Sequence, residues 1–338
     1  MAEKTMDEVL LSVVIIFYNQ EKYVRQTIES VLAQKTDFKF EILMGDDNST
    51  DGTTDILKEY SEKYPDICRY FLVPGTKEKK YKILERQTDN RIYLLGFTKG
   101  QYVNFLDGDD YYTSDTKFQK QVDVLEKHPE ISGCFHPFYY HYENTGRDEE
   151  YVKLGDKEMI IKNNKFWRRY YAHSATFIFR NKYSRNTEVL KGKIFDDSII
   201  TLWHIGLSDV YYIPDNAFSY RQLEDSTWNK ISEITQRLIN IRNCDDLKKI
   251  SKESGYKLEN AIDARFRNTF RDVFRARKEI KELPDVIGGF SDKDFATATL
   301  NYGKKGLLYD ALYVAGYGLF ICKVTLTRLI GKISDVLN

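Results

Sequence analysis

The run Leu11–Phe17 (LSVVIIF) limits what this chain can fold into more than any other stretch. It is apolar and β-branched without a polar alternation, the pattern of a strand buried on both faces. Such a strand needs a layer above and a layer below it. The next residues supply one: between Tyr23 and Gln34, the side chains Val24, Ile28, Val31 and Leu32 fall on one helical stripe. The alternation then repeats. Phe40–Met44 reads as a second strand, Thr54–Tyr64 as a helix closed by Pro65, and Cys68–Val73 as a third strand. After a charged stretch, Tyr102–Leu106 reads as a fourth strand, followed by an amphipathic helix around Phe118–Leu125. Strand and helix alternating at this spacing predict a doubly wound parallel sheet with crossover helices.

The middle of the chain reads as mixed, with strands at Ile131–Tyr142 and Ala175–Arg180 and a helix at Ser198–Ile205. From Trp228 onward the pattern is helical and strand-poor, so the expected division is an α/β domain over 1–225 and a helical region over 226–338. In that tail Leu312, Ala315, Leu319, Cys322, Leu326, Leu329, Ile333 and Val336 form an apolar seam at three- and four-residue spacing. Arg265–Lys278 interleaves phenylalanines with arginines. Packing onto the first domain, a homodimer seam and an interfacial membrane helix are the three readings of this tail.

Composition excludes several classes. The 51 Lys and Arg residues balance 51 Asp and Glu, which gives no support to a nucleic-acid partner. Cys68, Cys134, Cys244 and Cys322 follow no paired spacing, so they read as thiols in a reducing compartment, not a zinc site or disulfide framework. MAEKTMDEV is too polar and acidic for a secretory signal. The run Ala311–Cys322 falls short of the roughly 20 apolar residues that cross a bilayer. The expectation is a cytoplasmic protein, with any contact at the inner face of the plasma membrane peripheral. The absence of G-x-G-x-x-G after the first strand argues against a dinucleotide-dependent dehydrogenase.

In open α/β sheets, ligands bind beyond the carboxyl ends of the strands. The polar clusters stand at those ends: Tyr18-Asn19, Asp46-Asp47, and Asp107-Gly108-Asp109-Asp110. Three carboxylates within four residues repel one another unless a cation or donors compensate them. Such hard oxygen ligands suit Mg²⁺ or Mn²⁺ shared with phosphate oxygens. In Asp46-Asp47-Asn48-Ser49-Thr50-Asp51-Gly52, Thr50 or Asp51 is expected to cap the following helix, which leaves the Asp46-Asp47 pair for another task.

Three segments, SVVIIFYNQEKYVRQTIESVLAQ, EILMGDDNSTDGT and GQYVNFLDGDD, stand in order over residues 12–130. Together they resemble family 2 of the glycosyltransferases, whose α/β fold, GT-A, carries a Rossmann-like, mostly parallel sheet. The resemblance implies an inverting transfer of a sugar from a metal-bound nucleotide-sugar to an acceptor hydroxyl of a surface glycan or its lipid-linked precursor. It implies that Tyr18 stacks near the base, that Asp47 reads a pyrimidine (uracil above all), and that Asp107 lies near the ribose. Asp109 matches the ligand of the metal, Mn²⁺ or Mg²⁺, that bridges the diphosphate. Arg91 stands at the spacing of the family's nucleotide-side arginine, although Ile92 replaces the asparagine that follows and TKEKKYKILERQ replaces a small, Gly-containing stretch. Inversion needs a base to take the acceptor proton. Within Phe195-Asp196-Asp197-Ser198, Asp197 matches that base, and within Ser219-Tyr220-Arg221 the arginine matches a group facing the leaving diphosphate. His136 and His173 have two readings, lining the acceptor pocket or sitting as hydrogen-bonded core histidines, and the core reading is preferred for a lone histidine in a strand-like run. Transfer to a polyprenyl phosphate, or non-catalytic sugar binding, are the alternative functions. Specificity is expected to lie in loops 75–90 and 142–172.

Overall fold

The computed structural model describes residues 8–74, 85–151, 153–170, 172–181, 197–223, 226 and 233–276. The chain divides into two compact units, Met1–Glu224 and Asp225–Asn338. In chain order the first unit runs β1 (Val9–Phe17), α1 (Val24–Leu32), β2 (Lys39–Asp46), α2 (Thr53–Lys63), β3 (Cys68–Leu72), α3 (Glu85–Leu95), β4 (Tyr102–Asp107), β5 (Tyr111–Tyr112) and α4 (Lys117–Lys127). It continues through β6 (Gly133–Phe135), β7 (Phe138–Tyr142), β8 (Arg147–Tyr151), β9 (Met159–Ile161), α5 (Asn163–Arg169), β10 (Ile178–Arg180), α6 (Asp197–Ile205), β11 (Val210–Tyr212) and β12 (Phe218–Gln222).

One large sheet has the order β3-β2-β1-β4-β10-β6-β11-β9, and a small one the order β5-β12-β7-β8. β1 is parallel to both β2 and β4, as its unbroken apolar run requires, and Leu11 through Ile15 and Phe17 are almost wholly buried. Val24, Ile28 and Val31 of α1 close one face of it. The register matters for function: Phe17 lies opposite Asp46, and Ile16 opposite Asp107. Three polar loops therefore leave the sheet at one edge. β10 reverses direction against β4 and β6, which makes the sheet mixed but mostly parallel.

Three expectations about elements change. Ile131–Tyr142 is not one strand; Pro137 cannot donate to a ladder, and the chain switches there from β6 in the large sheet to β7 in the small one. The charged stretch before β4 contains a helix, α3, whose Leu94 and Leu95 are buried. With so few apolar residues its period was hidden. Of Ala175–Arg180 only Ile178–Arg180 is strand; Ser174–Thr176 is a single 3-10 turn.

The second unit shows α7 (Glu233–Glu253) and α8 (Glu259–Ala276), joined across Gly255 and Lys257, both at positive φ. Ile239, Leu247, Ile250, Ile262 and Phe266 are buried within it, and Lys248 pairs with Asp263 at 2.7 Å. The apolar seam of residues 312–336 and the end of Arg265–Lys278 lie outside the described residues. Among the described residues no helix is long and apolar enough to cross a membrane.

Candidate functional site

The loops after β1 and β2 are stitched together by side chains. Asn19 donates its N–H to Ser49 Oγ at 3.0 Å, and Thr50 donates its N–H to Asn19 Oδ1 at 2.7 Å. Asn19 and Asn48 both sit in the left-handed region, which asparagine tolerates better than most residues. Tyr18, at the end of this stitched loop, is 47% exposed and offers its ring to solvent.

The pair Asp46-Asp47 divides its labour. Asp46 accepts from the Ser49 N–H at 2.9 Å and from the Thr54 hydroxyl at 2.5 Å, so its carboxylate organises the start of α2. Asp51 accepts from the Thr53 N–H at 3.0 Å and the Glu21 N–H at 3.1 Å, but the N-cap of α2 is Gly52 and neither Thr50 nor Asp51 occupies it. Asp47 is buried one residue beyond β2, anchored by its N–H on the Phe17 carbonyl at 2.9 Å.

The turn after β4 is built around a residue with no side chain. A Cβ on Gly108 would lie 2.3 Å from the Phe17 ring and the Gln20 amide oxygen and 2.8 Å from the Ile16 carbonyl. Only glycine lets β4 turn this close to β1. Arg91 on α3 reaches Asp107 at 2.6 Å. It thus faces the acidic cluster.

Arg221 on β12 is 5% exposed. Its Nε donates to the Asp109 carbonyl at 2.7 Å, Nη1 to Glu143 at 2.5 Å and Nη2 to Gln26 at 2.6 Å. Its backbone N–H donates to Asp110 Oδ1 at 2.8 Å, and its guanidinium stacks on Tyr23 and Tyr111. In the structure Arg221 is a buried clamp on the acidic turn. Its charge still lowers the carboxyl pKa values of Asp109 and Asp110, but the opposing causes win. Burial and then the Asp107 charge push Asp109 up to about 6. Burial, then Asp109 and Asp107, push Asp110 well above the carboxylate range. Asp110 Oδ2 is buried with no hydrogen-bond partner among the described residues.

Opposite this turn stands Asp197, the first residue of α6. Its Oδ1 accepts from the Ser174 N–H at 3.1 Å, and its Oδ2 lies 4.0 Å from His173 Nε2. Ligand atoms of Asp107, Asp110 and His173 all lie within 4.8 Å of one another. A divalent cation fits this chemistry: hard carboxylate oxygens in excess of positive charge, one of them buried and unpartnered. Asp109 is not part of that grouping; its carboxyl meets the Gln20 amide. Asp196 lies outside the described residues.

His173, for which the core reading was preferred over an acceptor-pocket one, lies beside these acids. Nothing in the local sequence Ala172-His173-Ser174 distinguishes it from a core histidine. His136, by contrast, is a core residue: its Nδ1 lies 2.6 Å from the Pro137 carbonyl, and burial pushes its pKa down to about 3.

Residues 12–187 match the family model described as glycosyl transferase family 2. An uncharacterized protein of Mycobacterium tuberculosis is 30% identical over 234 residues, which is 65% of this chain and 60% of that protein. The chain thus spans less than two thirds of the length of that curated relative. Escherichia coli WfaP, named a UDP-Glc:alpha-D-GlcNAc-diphosphoundecaprenol beta-1,3-glucosyltransferase, is 30% identical over 43% of this chain and 50% of its own. Among solved structures, S. aureus TarS superposes with a TM-score of 0.60 at 16% identity, covering 94% of this chain and 92% of that one. TarS in complex with UDP gives 0.58, at 16% identity over 94% of this chain and 89% of that one.

Proposed function

Because the chain belongs to glycosyl transferase family 2 and has its GT-A-like α/β fold, we propose that it transfers a sugar, with inversion, from a nucleotide-sugar to a hydroxyl of a bacterial surface glycan or its lipid-linked precursor. The observation that carries this reading is a convergence. The strand register sends Tyr18, Asp47 and the Asp107–Asp110 turn out at one edge of the sheet, and Asp197 meets the same acids through His173. A donor site on one side of a cluster and a carboxylate on the other is what a single displacement needs.

In this reading Tyr18 stacks on the base and the Asp47 carboxylate accepts the imide N–H of uracil. Asp107, braced by Arg91, borders the ribose. Asp109 would hold a divalent cation, Mn²⁺ or Mg²⁺, together with Asp110, whose buried Oδ2 has no partner among the described residues; when bound, the cation would supply positive charge to the diphosphate. Asp197 takes the acceptor proton as the hydroxyl oxygen bonds to the anomeric carbon. The bond from that carbon to the diphosphate oxygen breaks, and the nucleotide leaves with the electron pair. Arg221 serves by fixing the acidic turn. A hexosyl or acetamidohexosyl donor linked to UDP is the natural first choice, since WfaP is named for a UDP-sugar and TarS was solved with UDP. WfaP is also named for a lipid-linked acceptor, which supports the lipid-linked precursor over a finished polymer.

A panel of nucleotide-sugars, each scored by thermal shift and hydrolysis with and without Mn²⁺, tests the donor. Equal responses to UDP and GDP would remove the uracil assignment of Asp47. Asp197→Asn keeps shape but loses basicity, so transfer should fall by at least about a hundredfold while UDP and Mn²⁺ bind as before. An Asn variant that keeps the native rate sinks the base assignment.

A further inference from the structure

Buried side chains hold the turn that faces Asp197, Asn104 and Gln121 among them. Asn104 lies fully buried in β4. Its Oδ1 accepts from the Tyr112 hydroxyl and from Lys117 Nζ at 3.3 Å. With the oxygen so occupied, Nδ2 is the end that faces the turn. It donates to the carbonyls of Ser174 and Ala175, at 3.3 Å each, and to that of Phe177. The turn in consequence aims two groups at one carboxylate: the Ser174 N–H at Oδ1 of Asp197 and the His173 ring at Oδ2.

That ring has one orientation. It is 4% exposed and packed between aromatic neighbours, with centroids 4.7 Å from Tyr220, 5.0 Å from Phe218 and 5.7 Å from Phe138. The Ala175 N–H donates to its Nδ1 at 3.3 Å. A neutral imidazole that accepts at Nδ1 carries its proton on Nε2. The nitrogen turned toward Asp197 is thus an N–H donor, and the lone pair on Nδ1 is taken by the Ala175 N–H, so neither nitrogen is left for a metal.

We infer that His173 is a positioning residue for Asp197, donating from Nε2 to its carboxylate, and is not a ligand of the cation. The inference rests on the reading of Asp197 as the base. At 4.0 Å the contact is longer than a hydrogen bond, and it closes when the acceptor is bound, as catalytic hydrogen bonds often do. Ser174 and His173 then hold both carboxylate oxygens from one rigid turn, with the remaining lone pairs directed at the acceptor hydroxyl.

Three measurements decide it. Two-bond proton–nitrogen NMR on the full chain with labelled histidine, in mildly alkaline buffer, reads the tautomer, with the His173 signal identified by its loss in His173→Phe. Nε2–H is expected, and Nδ1–H overturns the inference. Titration with Mn²⁺ alone, followed by electron spin resonance, should show no nitrogen coupling that disappears in His173→Phe; such a coupling makes His173 a ligand. The third is kinetic, with hydrolysis of the best nucleotide-sugar of the panel as readout. His173→Phe keeps the ring stack but has no donor, and its kcat should fall about ten- to a hundredfold at unchanged donor KM. His173→Gln, which restores a donor, should recover part of that loss. Equal kcat in the Phe and Gln variants defeats the inference. If Asp197→Asn keeps its rate while His173→Phe loses it, the base assignment fails instead; the reverse outcome leaves the base standing and removes only His173.

Discussion

Asp109 carries the clearest titration consequence in the molecule. Its carboxyl is raised to about 6, first by burial and second by the Asp107 charge. A folded-state value above the ordinary one means that protonation favours the fold. The associated penalty is absent below about pH 4, grows as pH rises through 6, and is complete near neutrality. A cation at the acidic turn opposes the same penalty. Stabilisation by Mn²⁺ in thermal unfolding should accordingly be larger near neutral pH than at about pH 5. Asp109→Asn has no charge to repel, so without metal near neutrality it should unfold at a higher temperature than the native chain, and Mn²⁺ should stabilise it little. If Asp109→Asn responds to Mn²⁺ as the native protein does and Asp110→Asn does not, Asp110 is the ligand. Asp47 titrates a different property: Asp47→Ala should weaken UDP binding, measured calorimetrically, much more than Mn²⁺ binding.

At the scale of elements, the site depends on how closely β4 approaches β1 and on how the turn at Ser174–Thr176 rests on β4. A methyl group on Gly108 would collide with the Phe17 ring and the Ile16 carbonyl. Gly108→Ala should cost about 1–3 kcal/mol in urea unfolding and weaken UDP binding with it, because the Asp107–Asp110 turn moves as a unit. A loss of stability with UDP affinity unchanged would show that the turn absorbs the strain without moving its acids. Asn104→Ala leaves the Tyr112 hydroxyl, Lys117 and two or three carbonyls without a buried partner. It should cost at least about 2 kcal/mol and lower turnover through Asp197. The elements easiest to read from sequence were those with a strong period: β1, β2, β4, α1 and α4. α3 escaped because a helix bounded by Glu85-Arg86-Gln87 and held by Leu94 and Leu95 has too few apolar positions to mark a stripe.

For the whole molecule, the open matter is what the second unit contributes. α7 and α8 bury an apolar interior of their own. We propose that the helical region beyond residue 226 governs packing, assembly or membrane contact, not sugar chemistry. Removing residues 305–338 should leave UDP and Mn²⁺ affinity unchanged in calorimetry. It should also lower either binding to anionic vesicles or the molecular mass seen by light scattering. If neither changes and the shortened chain is merely less soluble, the tail is ordinary packing.

The amino-acid sequence by itself determined the buried central strand, the mostly parallel sheet and the three acidic or aromatic loops at its carboxyl edge. Each of these is a local matter: hydrophobic period selects the element, and an element's end selects the loop. What the tertiary structure decided is how residues far apart in the chain divide the work. Asp46 became a structural carboxylate because Thr54 folds back onto it, and Arg221 became a clamp because β12 lies along the acidic turn. His173 joined the site because Asn104, 69 residues earlier in the numbering, holds its turn against β4. No periodicity records such contacts: the partner of a buried polar group is fixed by which elements pack together, and that choice is made by the fold as a whole.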